Sequence, residues 1–325
     1  MGKFVLDDGA GMSRPTFFKL WPSDGAESVF RAADVMQHKL GHINIRSKCS
    51  SGTAAVLVTE KVGEESGRPT SLASFLMRDP SSTLPFLPGI VDDVCSQTDR
   101  LGTESPDELP IASILWSWHD LERIRNQYEK HSCPPPALDP TLFSDPAEVY
   151  DTLRLQQTPI RLARQSCIHG DLNITNIALD VGAKVVRGYI FDAAAFGGGF
   201  SGWDLATLEV TTLLHSVGSL DEGLVEYCGS FYNQALPADL GFVREDATSR
   251  QRNSASLVYE IRQRVLERVS PEVYALMVFD NALMQLGGLD FQVSRNKITL
   301  PSDAALLAAL AAGWLIRVSP QWFAK

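Results

Sequence analysis

Residues 167–180 read CIHGDLNITNIALD and carry His169, Asp171 and Asn176 in the pattern H-G-D-x-x-x-x-N. Phoshoryl transfer needs a carboxylate that orients a hydroxyl and accepts its proton, and a second oxygen ligand nearby to hold Mg²⁺. Asp171 and Asn176 have the types and spacing for those two jobs. Further on, Asp192 closes the apolar run GYIF. A carboxylate there suits Mg²⁺, which takes a few hard oxygen ligands together with phosphate oxygens. Taken singly, His, Asp and Asn favour turns and caps through local hydrogen bonds. The combination at this spacing is what points to chemistry.

HGDLNITN, followed by YIFDAAAFGGG and then GWDLATLE, resembles the aminoglycoside phosphotransferase and choline kinase-like superfamily. The closing DLATLE is most similar to ternary-complex-associated kinase-like domains of bacterial conflict and signalling systems. The resemblance implies a protein-kinase-like fold, ATP and Mg²⁺ as cofactors, and Asp171 as the catalytic aspartate. It also implies Asn176 and Asp192 as Mg²⁺ ligands, His169 as the structural partner within the catalytic loop, and Asp204 as a scaffold residue.

Such an enzyme needs a lysine on a small-lobe strand to neutralise the α- and β-phosphates. Lys19, in the run FFKLW, stands at a fitting distance before His169. A lysine between aromatics on a strand is equally an edge residue whose head snorkels to water. Glu27 and Asp34 are the two helix carboxylates weighed as its partner. Gly9 and Gly11, in DGAGMS, are candidates for a phosphate loop, because glycine lets backbone N–H groups approach phosphate oxygens. The run from Gly9 to Lys19 is short, so the N-lobe reads as trimmed, or the glycines as an ordinary turn. Backbone groups at Thr59, Glu60, Lys61 and Val62 are placed to hydrogen-bond an adenine, the alternative being a plain strand and turn.

The elements that must position these residues follow from pattern. Thr16–Trp21 and Ala54–Thr59 read as strands, and Glu27–Leu40 as a helix with Gly41 as its stop. Ser71–Met77 is helical, and Ile177–Asp180 and Val185–Phe191 are strand-like. Gly197–Gly202 reads as a loop able to move or to shape acceptor access. Helices are expected near 204–217, 222–234, 255–268, 271–287 and 303–317. Asp204 and Glu209 read as residues of a helix N-terminus, and Trp116 and Trp118 next to His119 as packing, the alternative being substrate recognition. The expected fold class is α+β, two-lobed and protein-kinase-like. A small strand-rich N-lobe spans 1–62. A large, mainly helical C-lobe spans 63–325 and carries the catalytic loop 167–180 and a metal-binding segment 189–204.

Composition bounds the partners. The 325 residues carry 29 Lys+Arg against 39 Asp+Glu, a net charge of −10, which disfavours a nucleic-acid partner and suits a cationic small-molecule acceptor. The five cysteines form no CxxC or Cys/His cluster, so neither a disulfide framework nor a zinc site is expected. The N-terminus lacks the apolar core of a signal peptide, and Leu6 stands where a myristoylation signal takes Ser or Thr. The longest apolar run, Ala304–Ile316, is shorter than a membrane span and reads as a buried helix. The expectation is a cytoplasmic, Mg²⁺- and ATP-dependent phosphotransferase with no membrane partner, acting on a hydroxyl of a small molecule. The rival reading keeps the nucleotide site in a regulatory or scaffold protein that works through a protein partner. A hydrolase built on His169 and Asp171 fails for want of a nucleophile in a GxSxG context.

Overall fold

β-Branched and aromatic residues favour the extended chain, and they dominate Arg14–Pro22 (β2) and Ala54–Glu60 (β4), which pair antiparallel. With Gly2–Leu6 (β1) and Ile45–Ser50 (β3) they make a four-stranded sheet in the order β1–β2–β4–β3. Between β2 and β3 runs α1, Ala26–Leu40, whose Ala32, Ala33, Met36 and Leu40 are buried at helical spacing. Gly41, at φ +74°, ends it as expected; the left-handed stop costs glycine nothing. The computed structural model describes residues 2–6, 14–22, 26–41, 45–50, 54–60, 70–115, 119–131, 140–182, 184–191, 197–216, 232, 247–288 and 301–324.

These residues form a mixed α+β protein with small sheets and mainly helical content. Its contacts define two compact units, Met1–Phe75 with Pro88–Glu104 and Gln165–Gly199, and Leu76–Leu87 with Ser105–Arg164 and Phe200–Lys325. The four-stranded sheet and the H-G-D segment belong to the first.

In that first unit, Thr70–Ser71 (β5), Ile177–Val181 (β8) and Val186–Ile190 (β9) form a sheet in the order β5–β8–β9. The short turn Leu72–Phe75 (α2) follows β5; the next, Pro80–Thr83 (α3), capped by Asp79, belongs to the second unit. The outer edge of β9 is covered by a helix, Leu87–Leu101 (α4). The Gln97 side-chain amide stands in for a missing strand, donating to the Gly188 carbonyl at 2.6 Å and accepting from Ile190 N–H at 3.0 Å. One turn earlier, Asp93 accepts from Gly188 N–H at 3.0 Å. The helix lies so close that a Cβ on Gly188 would meet the Ile90 carbonyl at 3.4 Å.

Sequence pattern missed several strands. Glu104–Pro110 (β6), Pro159–Ile168 (β7) and Gly197–Phe200 (β10) form a sheet in the order β10–β7–β6. β6 is almost all charged, polar or proline, and β7 breaks its apolar residues with two arginines and a Gln-Ser pair. Gly197–Phe200 is therefore a paired strand and not the loop its glycines imply. A Cβ on Gly199 would fall 2.3 Å from Ile168 Cδ1, so that side chain would have to move to admit one.

The second unit is helical: Leu121–His131 (α5), Pro146–Leu153 (α6), Trp203–Ser216 (α7), Ser249–Val265 (α8), Pro271–Gly287 (α9) and Pro301–Val318 (α10). Thr248 and Gln251 make a reciprocal capping box on α8, and Ser270 caps α9 ahead of Pro271. The expected 222–234 helix lies outside the described residues except for Tyr232. The apolar run at 304–316 is the centre of the longer α10, extended through its polar ends to 18 residues. By length and composition that helix is long and apolar enough to cross a membrane, and 67% of it is buried inside the protein.

A charged pair is sealed within this unit. Arg262 donates to both Glu209 oxygens, at 3.0 and 2.6 Å, and Tyr274 hydroxyl donates to Oε2 at 2.9 Å. Both charged side chains are wholly buried, and the guanidinium lies 4.5 Å from the Trp314 ring centroid. Burial works against the Arg262 charge, and Glu209 outweighs it, so the Arg262 pKa is raised. Burial, then Glu209, pushes the Tyr274 hydroxyl well up. Glu209 is thus a core residue on the second turn of α7, not part of a helix N-terminus. Removing one member of such a pair leaves the other charge buried and unpaired. Glu209→Ala is expected to cost about 3–5 kcal/mol of unfolding free energy in urea titrations. A loss below about 1 kcal/mol, the worth of an exposed pair, would contradict the sealed arrangement.

Burial also pushes the Asp303 carboxyl, in the first turn of α10, up to about 6 from 3.8, against a weaker pull from the Ser302 hydroxyl. The folded state therefore holds this proton more tightly than the unfolded chain does. Asp303 contributes stability below the unfolded pKa and loses it as pH rises through about 6. Relative to wild type, Asp303→Asn should gain stability progressively across that window and level off above it. A stability difference independent of pH would refute this.

Candidate active site

β7 ends at Ile168 and delivers His169 into the interior, where its side chain is fully buried. Gly170 follows at φ +77°, a left-handed conformation that costs residues with a Cβ about 1–2 kcal/mol. It turns the chain so that Asp171 faces back on the histidine. Leu172, Ile174 and Ile177 are all buried and pin the loop like alternate stitches. Ala73 N–H, on α2, donates to the Ile174 carbonyl at 3.3 Å.

Four hydrogen bonds then close a ring. His169 Nε2–H donates to the Phe191 carbonyl at 2.9 Å. Phe191 N–H donates to the Asn176 carbonyl at 3.0 Å. Asn176 Nδ2 donates to the Asp171 carbonyl at 2.8 Å. Asp171 N–H closes the circuit on His169 Nδ1 at 3.4 Å. Because Nδ1 accepts, the tautomer with hydrogen on Nε2 is the one that satisfies both partners.

The ring leaves specific oxygens open. Asn173 Nδ2 donates to Asp171 Oδ1 at 3.2 Å, while Asn173 Oδ1 accepts from Thr175 N–H at 3.0 Å and from its hydroxyl. Asp171 is half-buried, and among the described residues its Oδ2 accepts no hydrogen bond. Asn176 Oδ1 accepts none among the described residues either. An amide oxygen without a protein donor, fixed next to the end of β9, is the oxygen type that suits a hard cation.

The structure thus brings His169, Asp171 and Asn176 together. Asp192 lies outside the described residues, but its neighbour Phe191 is held at both peptide groups by the ring, and β10 resumes at Gly197. Lys19 sits in β2 opposite Leu57, and Glu60 is the last residue of β4, opposite Thr16. Gly9 and Gly11 fall in the connection between β1 and β2, and Lys61 and Val62 follow β4; all four lie outside the described residues, as do Trp116 and Trp118. His119 is a core residue, its Nε2 2.8 Å from Asp280 Oδ1 and its ring edge-on to Tyr150. The two helix carboxylates weighed as partners of Lys19 have other cations: Glu27 pairs with Arg31 on the exposed face of α1, and Asp34 with Lys48 of β3. Sequence reasoning missed Lys48, Asn173 and the Gln97–Asp93 edge cover. For the last, the available signal was two hydrogen-bonding residues four apart on one helix face.

No family model matches the chain, and no curated protein matches it in sequence. Among solved structures, the aminoglycoside phosphotransferase APH(3'')-Id from Streptomyces rimosus is similar to it, with 14% identity, 79% of this chain and 93% of that one covered, and a TM-score of 0.37. So distant a likeness leaves the function to be read from the loop itself.

The turn at Gly170 has a built-in control at Gly89 in α4, where an added Cβ would meet nothing within 4 Å. Gly170→Ala should lower stability by about 1–2 kcal/mol, whereas Gly89→Ala should raise it by about 0.5–1 kcal/mol. Urea titration of both variants reads this directly. Two shifts of the same sign would contradict the loop geometry.

Proposed function

We propose that this chain is an ATP-dependent, Mg²⁺-requiring phosphotransferase of two-lobed, kinase-like architecture, with lobes 1–62 and 63–325. It moves the γ-phosphoryl group to a hydroxyl of a small molecule in the cytoplasm. The observation that carries the reading is the ring around His169, which holds Asp171 and Asn176 in one rigid loop and leaves each with an open oxygen. Asp171 Oδ2 orients the acceptor hydroxyl and takes its proton, with Oδ1 steadied by Asn173. His169 is a positioning residue, holding the loop against the end of β9. Asn176 Oδ1 and the Asp192 carboxylate are the ligands offered to Mg²⁺, which when bound supplies charge neutralisation to the phosphates. Lys19 adds a positive charge there, Gly9 and Gly11 offer backbone N–H groups, and backbone groups of Glu60, Lys61 and Val62 receive the adenine. Such catalysis is mainly positioning and electrostatics. The acidic chain suits a cationic acceptor.

A second reading, a nucleotide-binding regulatory or scaffold protein with a protein partner, is favoured by one observation: Asp34, a helix carboxylate weighed for Lys19, serves Lys48.

Nucleotide binding tests both readings, and turnover separates them. MgATP should raise the thermal midpoint by mass action, under both readings. Release of ADP, followed across a panel of amino alcohols and aminocyclitols, should find an accepted hydroxyl. Asp171→Ala should then slow turnover by at least about a thousandfold, as expected where a catalytic base and its positioning are lost together, while ATP affinity stays within a few-fold. Absence of any MgATP shift overturns both readings. Near wild-type turnover by Asp171→Ala overturns the catalytic assignment.

A further inference from the structure

Lys48 was assigned no role by the sequence. Its Nζ donates to the Asp34 carboxylate and to the Phe30 carbonyl at 3.3 Å, both on α1, and lies 5.9 Å from the Phe30 ring centroid. An ammonium has three N–H donors. Two are used to anchor it, and the third meets no acceptor among the described residues. The side chain keeps 25% of its surface exposed.

Register places this ammonium. Leu57 of β4 stands opposite Lys19 of β2 on one side and opposite Lys48 of β3 on the other. The two lysines therefore occupy one level of the sheet, two strand spacings or about 10 Å apart at their Cα atoms. Stems of this length, from positions that far apart, can reach a single extended polyanion.

We propose that Lys48 is a second phosphate-binding lysine, held ready by Asp34, that acts with Lys19 on the polyphosphate of the nucleotide; this rests on the phosphotransferase reading of the site. Two cations neutralise a triphosphate better than one, which matters where the glycine segment before Lys19 is short. Asp34 is then not a missing partner for Lys19. It is the anchor that fixes the Lys48 head and spares it the entropy of ordering on binding.

The rival account makes Lys48 a strut between α1 and β3, and calorimetry separates the two. MgATP, MgADP and adenosine are titrated into wild type, Lys48→Met, Asp34→Asn and Lys19→Met. Lys48→Met should weaken ATP and ADP at least about tenfold, as a lost charge-assisted contact does, and leave adenosine unchanged. Asp34→Asn keeps the cation and should retain ATP affinity within about threefold of wild type. A strut predicts instead that both variants lower the thermal midpoint alike and move ATP and adenosine equally, which overturns the proposal. So does a Lys48→Met protein that binds ATP as wild type does while Lys19→Met does not, and in that case the phosphotransferase reading stands. If wild type binds no nucleotide, both fall. A measurement on the unaltered chain covers a variant that fails to fold. Acetic anhydride labelling of Lys48 should be slowed by ATP and not by adenosine, and labelling unaffected by ATP overturns the proposal.

Discussion

The ring of hydrogen bonds through His169, Phe191, Asn176 and Asp171 is the constraint on which the rest of the site depends. It joins residues of one loop to the end of a strand, with every donor matched to an acceptor. Three of its four bonds use a backbone carbonyl as acceptor, so the geometry is set by the path of the chain as much as by side chains. A buried histidine with both nitrogens engaged cannot rotate without stranding a polar group, at a cost of about 1–3 kcal/mol. That rigidity is what a positioning catalyst needs, because misplacement of a reacting group is costly in rate.

The surrounding elements serve to hold the ring. β7 brings in His169, the β8–β9 hairpin brings Phe191 back to Asn176, and α4 stiffens β9 by filling its open edge with Gln97 and Asp93. A Cβ at 188 would just touch Ile90, at 3.4 Å, and a Cβ at 199 would press on the Ile168 side chain. Elsewhere the helical unit has its own anchor in the Glu209–Arg262 pair. Pairs of this kind cost desolvation to form, and their clearest effect is to make loss of one partner expensive.

Much of this was legible in the sequence where spacing or periodicity was strong. H-G-D-x-x-x-x-N placed three residues that the fold does bring together, and α1, β4 and the long helices followed from apolar period. β6 was illegible because it is nearly all charged, polar or proline, and β7 because its alternation at Ile160-Arg161-Leu162 is broken by Ala163 and the polar Gln165-Ser166. Gly197–Phe200 misled because glycine was there for close approach and not for freedom. Glu209 misled because the cation that buries it lies far along the chain at Arg262. The same holds for Lys48: strand register, which no local pattern reveals, is what sets it level with Lys19.

The central claim is that the ring aims the free oxygen of Asn176 at a nucleotide-bound cation. Mn²⁺ takes the same hard oxygen ligands as Mg²⁺ and is paramagnetic, so it broadens the resonances of nuclei close to it. With ATP present and Mn²⁺ added well below stoichiometry, the side-chain amide signals of Asn176 should broaden beyond detection. Asn176 signals that stay sharp while Mn²⁺ and ATP are bound would contradict the account.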